Sequence, residues 1–94
     1  MMYEILPYSK RKASRLGVDI QPSFRKGKKI DVYSKKTGRY IVSIGDKNYL
    51  DYPTYLKYYG KQIADQRRKL YKIRHRADRM IKGSAGYYAD QILW

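Results

Sequence analysis

The sequence predicts a small α+β fold: a β-hairpin or a three-stranded antiparallel sheet packed against two or three C-terminal helices, with a basic N-terminal helix or arm. Three observations carry this reading. Ile30 and Val32 alternate with Asp31 and Tyr33, and Tyr40, Val42 and Ile44 alternate with Ile41 and Ser43, on either side of a glycine-containing turn. From Asp51 onward, Pro53 and Gly60 fall where helices open and stop. Ninety-four residues are enough for one domain only. The expected division is a basic arm or helix over 1–23 and a single α+β domain over 24–94.

Residues 2–6 read as a short strand or an extended start, with Pro7 ending regular structure there. Ser9 suits the N-cap of a short basic helix over 10–16, and Gly17 its C-terminal cap. Residues 18–21 read as extended and offer an edge strand that stops at Pro22. The 24–29 stretch is a basic loop with little apolar surface to bury. In the hairpin, Lys35-Lys36-Thr37-Gly38 supplies the turn, with Gly38 where a positive φ is needed. Lys35, Lys36 and Arg39 make its tip cationic.

Pro53 belongs in the first turn of a short helix that Gly60 breaks. The main helix is expected from 61 to 78 or 79. Steps of about 100° per residue place Ile63, Leu70, Ala77 and Ile81 on one stripe, flanked by Ile73 and Tyr71. The opposite face collects Lys61, Arg68, Lys69, Lys72, Arg76 and Arg79. Arg67 and Arg74 fall on the apolar stripe instead. Each therefore needs a carboxylate (Asp46, Asp51 or Asp90), carbonyls or a tyrosine ring, or must snorkel from the stripe's edge. A small-residue loop over 82–86 leads to a last short helix, 87–94, whose apolar density and Trp94 should dock on the core.

Composition narrows the chemistry. Lys+Arg is 22 and Asp+Glu is 8, a net charge of +14. The excess is distributed: 12 basic and 4 acidic side chains in residues 1–48, and 10 and 4 in residues 49–94. The absence of cysteine excludes disulfides, thiolate metal sites and a cysteine nucleophile. A single histidine, His75, cannot build a multi-histidine site, and Glu4 is the only glutamate. Asp46 and Asp51 alone are too few carboxylates for metal-dependent hydrolysis. Residues 83–86 lack the lysine-serine ending of a phosphate loop, although such a segment can present N–H groups to an anion. No apolar run suits a membrane span or a signal peptide. Twelve tyrosines, against one Phe and one Trp, fit half-buried positions, with stacking on bases as their other use. The expectation is a non-enzymatic protein without metal or cofactor.

Dense negative charge is the expected partner. Three cationic clusters stand out: Lys10, Arg11, Lys12 and Arg15; Arg25, Lys26, Lys28 and Lys29, joined by the hairpin tip of Lys35, Lys36 and Arg39; and the helical ridge of Arg68, Lys69, Lys72, Arg76 and Arg79. Phosphate contacts of this kind give affinity with little sequence preference. DNA is favoured over RNA.

A further set of residues carries a resemblance. It comprises Ser9-Lys10-Arg11-Lys12, the strand ending in Ser43-Ile44-Gly45, Asp51-Tyr52, Arg67-Arg68-Lys69-Leu70-Tyr71-Lys72-Ile73-Arg74-His75, and the close Gly86-Tyr87-Tyr88-Ala89-Asp90-Gln91-Ile92-Leu93-Trp94. Over 9–94 the chain resembles a family of short uncharacterised basic proteins found in tailed bacteriophages and in large DNA viruses of eukaryotes. The family's typical close is a glycine, an aromatic segment and a final Leu-Trp, often extended by a few residues that this chain lacks. The resemblance implies a viral source, a setting in the host cytoplasm or the virion, and a place in the particle or in genome packaging. The competing expectation is a virion structural protein that lines or cements a capsid or portal through acidic protein surfaces. An exposed patch of Tyr55, Tyr58 and Tyr59 would favour it.

Overall fold

The computed structural model describes residues 3–94, so Met2 of the expected N-terminal segment lies outside the described residues. The order is α1 (Pro7–Leu16), β1 (Val18–Pro22), β2 (Lys28–Ser34), β3 (Tyr40–Asp46), α2 (Tyr52–Tyr59), α3 (Lys61–Arg74), a 3-10 turn (Asp78–Met80) and α4 (Ala85–Leu93). The fold is α+β. Its three strands form an antiparallel sheet in the order β1-β2-β3, with Ile20 opposite Val32, Ile30 opposite Ile44 and Val32 opposite Val42. No helix among the described residues is long and apolar enough to cross a membrane.

Pro7 opens α1 where it was expected to stop regular structure. A proline at the first helical position has no N–H to waste, and Leu6 before it is extended. Ser9 is consequently inside the helix and is not its cap. Its buried hydroxyl donates to the Ile92 carbonyl at 2.9 Å, pinning α1 to α4. Gly17, at φ 74°, ends α1 as expected. The expected arm over 1–23 is not separate: Ala13 and Val18 are core residues, and β1 is hydrogen-bonded along β2.

The core joins Ile30, Val32 and Ile44 of the sheet to Ala13, Val18, Ile92 and Leu93. At Gly45 a Cβ would stand 2.8 Å from Leu93 Cδ1, so glycine is what lets α4 close on β3. Strand β2 shows no alternation: Lys29, Ile30, Asp31 and Val32 are all buried. Asp31 is enclosed by the hydroxyls of Ser23 and Ser43 and the Phe24 N–H, all of which donate to it. Burial pushes its carboxyl up, but those three donors outweigh burial and hold it below the usual carboxylate range.

Two expectations for α3 are corrected. The helix ends at Arg74, not at 78 or 79. His75 stacks on Tyr71 at 4.3 Å and reaches the Asp78 carboxylate at 3.2 Å, and the chain turns there into the 3-10 turn. The stripe of Ile63, Leu70, Ala77 and Ile81 is not the core face. Ala64 and Tyr71, about a quarter-turn around the helix, point inward, while Ile63, Leu70 and Ile81 are 39, 55 and 61 % exposed. Tyr71 decides the orientation: its ring lies parallel to Trp94, 8° between planes at 4.5 Å, and this aromatic pair prevails over the aliphatic stripe.

Lys29, expected in a basic loop, is buried on β2 with its Nζ 2.8 Å from Asp51 Oδ2. The side chains are 5 and 1 % exposed. Asp51 also caps α2, accepting from the Thr54 N–H and hydroxyl, and takes a hydrogen bond from the Tyr3 hydroxyl at 2.6 Å. One carboxylate thus ties β2, α2 and the N-terminal segment together. Lys29→Ala or Asp51→Ala leaves its partner charged, buried and unpaired, and should cost about 3–5 kcal/mol. Asp46→Ala, which removes one exposed hydrogen bond from the Asn48 N–H, should cost at most about 1 kcal/mol. Chemical denaturation of the three variants checks this; equal stabilities would show that the buried pair holds nothing.

Candidate nucleic-acid interface

The site rests on α1 and α3. Arg68 lies over the Tyr52 ring, its guanidinium carbon 3.5 Å from the centroid, and its Nη2 donates to the Tyr8 hydroxyl at 3.1 Å. Tyr52 in turn donates to Asp65, which also receives Lys61. This packing pre-organises a planar cation at low entropic cost. On the next turn, Lys72 reaches Asp90 at 2.6 Å, with Arg79 Nη1 3.7 Å from the other oxygen. Asp90 is 2 % exposed, so one sunken carboxylate from α4 anchors two cations of the ridge.

Arg68, Lys69, Lys72, Arg76 and Arg79 line one open depression of about 450 Å³, with Ile73 and Asp65. Lys12 of α1 shares Tyr8 with Arg68 of this depression. Burial first, then repulsion from Lys72 and Arg68, pushes the Lys12 ammonium below its ordinary value. Its Nζ sits 5.6 Å from the Tyr8 centroid. Helical spacing carries Arg11 and Arg15 onto the flank of α1 shared by Tyr8 and Lys12, and Lys10 onto the opposite flank.

The remaining expected residues divide. Lys29 is withdrawn from the surface by Asp51. Arg25, Lys26 and Lys28 are exposed at the start of β2, whereas Lys35, Lys36 and Arg39 sit at its far end, about 20 Å along a seven-residue strand. The hairpin tip therefore lies away from Lys28, and of these cations Arg25 reaches toward it, through Tyr40 next to Arg39. Arg25 donates to the Tyr40 hydroxyl at 3.3 Å, and Lys35 approaches Asp19 at 4.0 Å in an exposed pair of little energetic weight.

Of the alternatives open to Arg67 and Arg74, the carboxylates are not taken, since Asp51 and Asp90 are engaged by Lys29 and by Lys72 and Arg79, whereas the tyrosine ring and the exposed edge are. Both are exposed, and Arg67 lies over the Tyr55 ring at 5.6 Å. Tyr8, Tyr52 and Asp90 as supports of the ridge are not recognisable from sequence. Their contacts with it span 60, 16 and 18 positions of chain, and local spacing carries no sign of them. Among the described residues, no group of three or more His, Asp or Glu side chains converges as a metal site would require. Comparison with protein-family models, with curated proteins and with solved structures finds no match to this chain.

The aromatic supports carry a pH signature. Burial, then the Asp90 and Asp78 charges, pushes Tyr71 up to about 12; burial and the hydrogen bond to Asp65 raise Tyr52, and burial beside Asp51 raises Tyr3. These groups hold their protons longer folded than unfolded. Their contribution is fully present below pH of about 10, where the unfolded tyrosine ionises, and is lost as pH rises through the folded values. Denaturation midpoints should fall steeply between about pH 10 and 12, and tyrosinate absorbance of the folded chain should show a late-titrating fraction. Titration of all twelve tyrosines in one step near 10, with the fold intact, would contradict the packing described.

Proposed function

We propose that this chain is a non-enzymatic, phage-like viral protein that binds duplex nucleic acid through the α1–α3 face with little sequence preference, in association with the viral genome or its packaging. The observation that carries this reading is the convergence of Lys12, Arg68, Lys69, Lys72, Arg76 and Arg79 on one face whose carboxylates, Asp65 and Asp90, are too few to balance them. Such a surface neutralises phosphates and releases their counterions. Lysines and arginines set round an open depression contact backbone and do not read base edges, hence the weak sequence preference. The resemblance to proteins of DNA viruses favours DNA over RNA and supports a setting in the host cytoplasm, the virion or both.

A second reading has its own observation. Tyr58 and Tyr59 are 66 and 59 % exposed on α2 and suit assembly, whereas Tyr55, the third tyrosine of the expected patch, is half-buried against Tyr59 and Trp94. On this reading the chain lines or cements a capsid or portal against acidic protein surfaces.

Affinity for unrelated DNA duplexes across a salt series separates the two. Lys69 and Arg76 make no ion pair among the described residues, so Lys69→Ala with Arg76→Ala should leave the unfolding midpoint unchanged. The pair should reduce the slope of log K against log salt by about 2, equally for all sequences. Arg68→Ala should weaken binding and also lower stability, because Tyr52 and Tyr8 lose their cap. Negligible binding at low salt would overturn the nucleic-acid reading and turn attention to the α2 patch.

A further inference from the structure

The side of α3 turned away from the basic ridge borders a second concavity, a groove of about 720 Å³ between α3, α4 and the 45–50 segment. Its size falls within the usual range for binding sites. Ile44, Leu93 and Trp94 are among its lining, and Leu50 and Leu70, 40 and 55 % exposed, rise along its edges. Arg67 and Arg74 also line it, seven residues and so about 10 Å apart along α3. Among the described residues neither is paired with a carboxylate. The groove's apolar lining, edged by two guanidinium groups that have no carboxylate partner, is incomplete as a surface: it exposes aliphatic area beside charge that a partner would neutralise.

We propose that this groove docks an acidic amphipathic helix of a partner protein. Two carboxylates seven residues apart on such a helix match the rise between Arg67 and Arg74, and the apolar residues between them drop into the trough. Charge selects this occupant over the others. A second copy of the chain does not fit, because it carries +14 and no helix among its described residues has more than one carboxylate. A nucleic-acid strand fits less well, because Asp46 and Asp78 stand in the same walls and would face its phosphates. A helix presents carboxylates only where Arg67 and Arg74 need them. The site is independent of both readings above, using neither the ridge nor the Tyr58 and Tyr59 patch.

The test is a selection of random peptides of about 16 residues, long enough for four helical turns, displayed against the full chain. Enriched peptides should share two acidic residues seven apart with large aliphatic residues between them. Arg67→Ala with Arg74→Ala should weaken them at least about tenfold, and so should Leu70→Asp, with unfolding midpoints checked for each variant. Arg67→Lys should retain part of the binding. Lys69→Ala with Arg76→Ala, on the ridge, should leave peptide affinity unchanged while impairing duplex DNA binding. The proposal is overturned by a selection without enrichment, by enriched peptides indifferent to Arg67, Arg74 and Leu70, or by a short single-stranded oligonucleotide proving to be the ligand those residues hold.

Discussion

The buried pair of Lys29 and Asp51 is the constraint on which the arrangement of this small fold turns. Its worth is less in its own attraction, which desolvation largely offsets, than in what either partner demands once inside. Asp51 must find four donors, and it finds them in β2, in the first turn of α2 and in Tyr3. The direction in which α2 leaves the sheet is set by those bonds, and through Gly60 so is the start of α3. Tyr52, next to that carboxylate, is thereby held where Arg68 can lie on it. The cationic face is thus positioned by an ion pair that never meets solvent.

What was legible in the sequence was local. Gly17, Gly38 and Gly60 mark turns because only glycine adopts their positive φ without strain, and Pro53 marks the first turn of α2 because its fixed φ suits that position. The alternation of residue type over 30–33 and 40–44 marks the hairpin, although burial along β2 does not follow it. What was hidden depended on partners distant in the chain. A lysine in a basic run gives no sign of a carboxylate 22 residues later, and Pro7 reads as a breaker or an opener according to whether the residues after it find a surface to pack on. The rotation of α3 escapes aliphatic periodicity, because the pairing of Tyr71 with Trp94 joins residues that no helical repeat connects.

The same partition explains the character of the candidate site. Spacing alone collects Arg68, Lys69, Lys72, Arg76 and Arg79 on one side of a helix, and the fold keeps them together even though α3 stops before the last two. What spacing could not supply is their rigidity. Arg68 is held by two tyrosines and Lys72 by Asp90, whereas Lys69 and Arg76 make no ion pair among the described residues, so the face combines anchored and unanchored cations.

Folding takes three of the eight carboxylates, Asp31, Asp51 and Asp90, out of water, and among the described residues only one cation, Lys29, goes with them. The surface is therefore more positive than the composition states, with the negative charge concentrated inside. Mobile anions gathering round such a shell relieve its self-repulsion and favour the compact state, yet the same anions compete with any polyanion for the cations. Ionic strength thus pulls folding and association in opposite directions: the solution that best protects the folded chain is the one in which it is least able to hold its partner.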